Sequence, residues 1–268
     1  MLIDTHCHIN IMIKKDFDVP LPENFKELTQ TILEECNSVD VTKIINVGTS
    51  KQESLNCITL AQNFKNIWAT VGLHPNDAQA ETWEEELALF KRLLDDPLNK
   101  IVGIGEIGLD YHYPNYNKEL QETVFKKQIE LALSYDLPIV IHTRDAGQGV
   151  LDILEEYESE ELRGIIHCFS EDRAFADRAL ALNFVLGIGG PLTYPKNEEL
   201  RHVFSTVPLE KIVLETDAPF LPPQEMRGKK NHPASIRTVA EFLADLRGIN
   251  FEEVAQVTTE TAEKLFKI

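Results

Sequence analysis

Basic residues are scarce in this chain. Its 268 residues include 26 Lys and Arg against 44 Asp and Glu, a formal charge of −18. An acidic surface repels phosphate backbones over a screening length, which argues against a protein that coats duplex nucleic acid nonspecifically. A basic patch within one groove stays compatible with that balance. Cysteine is scarce too: Cys7, Cys36, Cys57 and Cys168 form no Cys-x-x-Cys pair. That excludes a disulfide framework and predicts reduced, mostly buried thiols in a cytoplasmic protein. Long apolar runs are missing. The longest uncharged run, Ala179 to Pro195, is broken by three Gly and two Pro. It falls short of the ~18 apolar residues that cross a bilayer, so no membrane association is expected. The N-terminus has no basic segment and already carries Asp4, so no signal peptide is expected.

What is present is a globular composition, with 43% hydrophobic and 26% charged residues. No linker, low-complexity stretch or charge block divides the chain, which predicts one domain over residues 1–268. Short β-rich runs recur: Leu2–Thr5, Lys43–Val47, Ile67–Gly72, Ile101–Glu106, Pro138–His142, Gly164–Cys168, Phe184–Gly189 and Ile212–Thr216. Helical patterns fill the gaps. Ser50 with Glu53 and Thr82 with Glu85 read as capping boxes. Leu120, Val124, Phe125, Ile129 and Ala132 share one helical face within Lys118–Asp136, and a last helix lies near Phe251–Phe266. The strands are nearly continuous apolar runs, as strands covered on both faces by helices are. Eight strand–helix units predict an α/β fold, a (β/α)8 TIM barrel; an open doubly wound sheet is the alternative.

Chemistry-bearing residues gather at the predicted strand ends. Strand 1 ends in Asp4-Thr5-His6-Cys7-His8; alternation places His6 and His8 on one face and Cys7 on the other. Glu106, His142, His167 and Asp217 end strands 4, 5, 6 and 8. In a parallel barrel all eight ends lie on one rim, where active sites are built. Four His and two carboxylates exceed one tetrahedral cation and suit two divalent cations about 3.5–4 Å apart. A single strand-end His is more often a hydrogen-bonded rim residue. Six such residues without partners would be costly to bury, and that favours the metal site.

The stretches Ile3-Asp4-Thr5-His6-Cys7-His8, Gly72-Leu73-His74-Pro75, Gly105-Glu106-Ile107-Gly108-Leu109-Asp110-Tyr111, His142-Thr143-Arg144-Asp145-Ala146, His167-Cys168-Phe169-Ser170 and Leu214-Glu215-Thr216-Asp217-Ala218-Pro219 carry a resemblance. Together they resemble the TatD-type metal-dependent hydrolases, the deoxyribonuclease-like branch of the amidohydrolase superfamily. The resemblance spans essentially the whole chain and implies a (β/α)8 fold with a divalent metal pair. By motif match, His6, His8 and Asp217 hold one metal, His142 and His167 the other, and Glu106 bridges. Asp217 and Glu106 are the implied catalytic residues, with Asp217 as ligand and base. His-rich ligation tolerates Zn²⁺ or Mn²⁺, while the resemblance to nucleases also allows Mg²⁺. Asp4 and Glu215 share strand parity with ligands and are expected to orient them. The loop Gly228-Lys229-Lys230-Asn231-His232-Pro233 resembles the family's Gly-Lys-x-Asn-x-Pro segment.

Substrate contacts are expected from His74, Arg144, Lys229 and Asn231, with Arg227 and Lys230 extending a phosphate path. Tyr111, Tyr113 and Tyr116 offer stacking faces for unpaired bases. Cys7 and Cys168 are expected to point away from the site, and His202 to lie on a helix surface. His112 is open between a site role and a loop contact. Three functions compete. The first is a nuclease that trims single-stranded or frayed DNA or RNA. The second is a hydrolase of a small ester, amide or phosphoester. The third is a non-catalytic binding module, which the full ligand set disfavours.

Overall fold

The computed structural model describes residues 1–158 and 161–268. Eight strands run β1 Leu2–Cys7, β2 Val41–Asn46, β3 Ile67–Val71, β4 Ile101–Asp110, β5 Ile139–Arg144, β6 Gly164–Ile166, β7 Phe184–Ile188 and β8 Ile212–Leu214. They pair in sequence order and in parallel, each with the next. Among the described residues the helices are α1 Ile9–Met12, α2 Phe25–Asn37, α3 Lys51–Asn63, α4 Trp83–Leu94, α5 Lys118–Ser134, α6 Gly147–Glu156, α7 Arg173–Ala181, α8 Glu198–Thr206, α9 Ile236–Arg247 and α10 Phe251–Phe266. None is long and apolar enough to cross a membrane. The fold is a (β/α)8 barrel, and the doubly wound alternative is excluded by the strand order.

Two apolar layers hold it. One lies between strands and helices, with Leu2, Ile44, Phe90, Phe125 and Phe204 buried. The other gathers Ile3, Ile45, Val102, Val140, Ile165, Val185 and Val213, one residue from each of seven strands, so it fills the barrel interior. Trp68 of β3 packs against it. Ala262, Leu265 and Phe266 of α10 join this inner cluster and plug the end opposite the strand C-termini. Removing these side chains from water is the main term holding the barrel shut.

The seam between β8 and β1 is closed by bonds beyond a regular ladder. Thr5 Oγ1 donates to the Leu214 carbonyl at 2.9 Å. Main-chain N–H groups of Asp217 and His8 donate to the carbonyls of His6 and Ala218, each at 2.8 Å. Asp4 ties both sides: its carboxylate accepts from the N–H of His6, the N–H of Thr216 and the Thr216 hydroxyl. The seam therefore fixes the spacing of His6, His8 and Asp217 at once.

Helix starts follow local chemistry. Ser50 caps α3, accepting from the Glu53 N–H at 3.2 Å. Asn117 and Asn250 do the same for α5 and α10. The expected box at Thr82 is corrected: α4 does begin at Trp83, but the Thr82 side chain makes no cap bond. Three acidic residues in the first turn, Glu84, Glu85 and Glu86, interact favourably with the helix dipole there instead.

Candidate metal centre

Four imidazoles and two carboxylates converge at the strand C-termini. His6 Nε2 lies 3.2 Å from His8 Nε2, 3.4 Å from Glu106 Oε2 and 3.7 Å from Asp217 Oδ1. His8 Nε2 lies 3.3 Å from the same Asp217 oxygen. Across the site, Glu106 Oε1 is 2.9 Å from His142 Nδ1 and 3.9 Å from His167 Nε2. Glu106 thus turns one oxygen toward each set of imidazoles. His6 and His167 stack, with ring centroids 3.5 Å apart. All six side chains meet at one place on the rim.

The donor set fits bound cations. His8 Nδ1 sits 2.9 Å from the Val47 carbonyl. A carbonyl only accepts, so that nitrogen carries a proton, which leaves Nε2 as the nitrogen able to bind a cation. Two imidazole nitrogens facing at this distance repel unless a proton or a cation lies between them. Among the described residues, the buried His6 Nδ1 and Glu215 Oε2 have no hydrogen-bond partner. The ligand atoms of His6, His8 and Glu106 lie within 4.8 Å of one another, as do those of His6, His167 and Glu215, and of His74, Asp110 and His142.

The electrostatics point the same way. Burial pushes the Glu106 carboxyl up, but bonds to His142 and His6 outweigh it and hold the group well below the usual range. Burial likewise opposes, and His8 and His167 outweigh it, for Asp217, which is also lowered. Three imidazoles shift in the opposite direction. Despite burial, Asp217 raises His8, Asp110 and Glu106 raise His142, and Glu215 raises His167 to about 10. Ligand nitrogens must be deprotonated to bind a metal, so protons compete with cations for these imidazoles. Affinity for Mn²⁺ or Zn²⁺ is accordingly expected to rise at least tenfold from pH 6 to pH 8. Calorimetric titration at the two values checks this; equal constants would contradict it.

Neighbouring groups hold the ligands in place. Glu215 Oε1 lies 2.9 Å from His167 Nδ1 and accepts from the Cys168 N–H at 2.6 Å. Gly187 on β7 makes room for this carboxylate: a Cβ there would press into it. Glu215→Gln is expected to weaken metal affinity by about 10–100-fold, read by competition with a chelator; unchanged affinity would remove Glu215 from this role. Asp4 bonds the main chain of His6 and of Thr216, the residue before Asp217, rather than the ligand rings, and burial pushes its carboxyl up to about 8. Asp110, missed in the sequence, lies 3.1 Å from His142 Nε2. It was legible in principle. Glu106, Gly108 and Asp110 alternate on β4, which runs four residues past Glu106. Gly108 pairs with His142 and has a φ of +142°, and a Cβ there would collide with the His142 carbonyl.

The ligands open into a cavity of about 680 Å³. His74 and Arg144 line it. His74 Nδ1 accepts from the Asn76 N–H, so its proton sits on Nε2, 3.7 Å from Glu106 Oε1. Burial and the nearby His142 lower it to about 3, which keeps it neutral. Arg144 is the only Lys or Arg on the cavity wall among the described residues.

Other expected contacts fall elsewhere. Lys229 and Lys230 are exposed and do not line the cavity, and Arg227 lies over the Tyr194 ring at 4.7 Å. Asn231 is buried and latches its own loop: its amide donates to the Thr216 carbonyl and accepts from Ser235. Cys168 lines the cavity instead of pointing away, because β6 stops at Ile166 and strand alternation no longer applies. Cys7 is buried in the outer apolar layer as expected. His112 Nδ1 lies 2.7 Å from Asp145, and His202 is exposed on α8. Phe17, Phe220 and Glu53 also line the cavity without having been singled out for it in the sequence.

The sequence pattern described as TatD related DNase matches residues 3–267. The chain is 38% identical to the uncharacterized metal-dependent hydrolase YabD of Bacillus subtilis, over 100% of both chains. It is 34% identical to the uncharacterized metal-dependent hydrolase YcfH of Escherichia coli K12, over 100% of this chain and 96% of that one. Among solved structures, the TatD homologue YjjV of Escherichia coli superposes with a TM-score of 0.87 at 30% identity, covering 100% of this chain and 98% of the other. Matched over nearly its whole length, the chain belongs to the TatD-related DNase family of metal-dependent hydrolases.

Proposed function

We propose that the chain is a two-cation phosphodiesterase that shortens single-stranded or frayed DNA or RNA from an end. The observation that carries this reading is the split geometry of Glu106, one oxygen 3.4 Å from His6 and the other 2.9 Å from His142. That arrangement suits one cation at His6, His8 and Asp217, a second at His142 and His167, and Glu106 between them. When bound, such a pair lowers the pKa of a water from 15.7 toward ~7 and polarises the scissile P–O bond.

The chain's own residues do the rest. Asp217 is the more open of the two central carboxylates, with 15% of its side chain exposed against 6% for Glu106. It is ionised, so it accepts the proton of the attacking water and returns it to the leaving oxygen. His74 donates its Nε2–H toward a non-bridging oxygen, and Arg144 holds the phosphate by a charge-assisted bond.

The single Arg on the cavity wall also favours a second reading, a small phosphoester substrate. One assay separates them. A labelled single-stranded oligonucleotide is incubated with Mn²⁺, Mg²⁺ or Zn²⁺, and with EDTA. Shortening from one end that stops with chelator supports the nuclease. With one phosphate contact, log affinity should fall with log salt at a slope of only about −0.7. Inert oligonucleotides alongside turnover of a simple phosphodiester would replace the first reading with the second.

A further inference from the structure

A second cavity, of about 660 Å³, lies beside the metal cavity. Asn76 and Tyr113 line both, so the two open onto each other across these side chains. Their chemistry differs. The metal cavity carries ionisable groups throughout. Among the described residues the second has no Lys or Arg on its wall; it offers amides, including Gln79, Asn115 and Asn117, and the rings of Tyr113 and Tyr116, with Glu81 as its one charged residue. Amides present donors and acceptors together, as the edge of a base requires, and tyrosine rings present the faces on which bases stack. A phosphate would find no counter-charge there.

The wall between the cavities is built, not incidental. Asn76 is held by its amide to Asp110 Oδ2 at 2.9 Å, the same oxygen that faces His142. Tyr111 and Tyr116 stack on each other at 4.6 Å, and Tyr111 donates to Glu122, which fixes the loop after β4. Tyr113 stays 52% exposed, with the Arg144 guanidinium 5.6 Å from its ring centre. An aromatic ring and a phosphate-binding cation therefore stand side by side at the passage.

We propose that the second cavity is a base subsite, holding the unpaired nucleobase next to the scissile phosphate with Tyr113 as its stacking face. This rests on the nuclease reading and adds a chain-specific claim to it. Substrate is anchored through its base more than its charge, which explains how an acidic protein handles a polyanion. A base in a duplex is already stacked on both sides, so the subsite selects single-stranded ends.

The test is a double cycle on the Mn²⁺-loaded enzyme. KM is measured for a tetranucleotide and for versions with an abasic residue at each position in turn. In the wild type, one abasic position should raise KM by roughly 5- to 150-fold. Tyr113→Ala should raise KM for the intact tetranucleotide by a similar factor and become indifferent to that abasic position, while Tyr113→Phe keeps the wild-type sensitivity. Abasic effects of equal size in wild type and Tyr113→Ala would overturn the subsite and leave the nuclease standing. A wild type that cuts no oligonucleotide yet turns over a simple phosphodiester would overturn the nuclease reading and the subsite with it.

Discussion

Asp217→Asn should lower kcat by about 10²- to 10⁴-fold, the range over which a positioned acid–base group acts. The change keeps the shape and removes the basic oxygen. It should not unfold the loop. The backbone at 217 is held by main-chain bonds, from its own N–H to His6 at 2.8 Å and from the Phe220 N–H to its carbonyl at 2.7 Å. Its φ of 56° is left-handed, a region that Asn tolerates better than most residues. Steady-state kinetics with a phosphodiester, alongside a thermal melt, checks both halves. A kcat within tenfold of wild type would move the base to another group.

Glu53→Ala should cost stability rather than chemistry. Glu53 is 1% exposed and accepts from Lys14 Nζ at 2.5 and 2.6 Å, Asn10 at 2.9 Å, Asn56 at 3.1 Å and the Asp18 N–H at 2.7 Å. Removing it leaves the Lys14 charge on a side chain that is 1% exposed. Breaking a buried pair from one side costs about 3–5 kcal/mol, or roughly 6–20 °C in Tm for a chain of this size. Acidity sets the window. Burial pushes the Glu53 carboxyl up, but the Lys14 bond and the amide bonds outweigh it and hold it below its ordinary value. Its contribution is therefore complete above the unfolded value near 4.3 and disappears as pH falls through the lower folded one. Melts of both proteins at pH 7 and pH 3 should show the gap closing in acid. A difference under about 1 kcal/mol at pH 7 would contradict the network's role.

The strand ends were legible because parallel strands covered on both faces must be apolar, so a His or Asp interrupting such a run stands out. His6, His142 and His167 were visible for that reason, and their convergence follows from barrel topology alone. Boundaries were less legible. The sequence run for β4 ended at Glu106, yet pairing with β5 continues to Asp110, and the acid beside His142 was hidden there. Conversely β6 and β8 stop early, and so the alternation rule misplaced Cys168. Local patterns also hid long-range partners. Glu53 read as half of a capping box, whereas its carboxylate gathers α1 and the loop after it. Asn231, expected as a substrate contact in the family-like loop after strand 8, secures the backbone beside Asp217 through its amide.

The most direct test of the two-cation centre is anomalous diffraction from crystals grown with Zn²⁺ or Mn²⁺, tuned to the metal's absorption edge. Two peaks per chain are expected, one among His6, His8 and Asp217, the other between His142 and His167, with Glu106 touching both. A single peak, or one seated instead among His74, Asp110 and His142, would contradict the proposed centre.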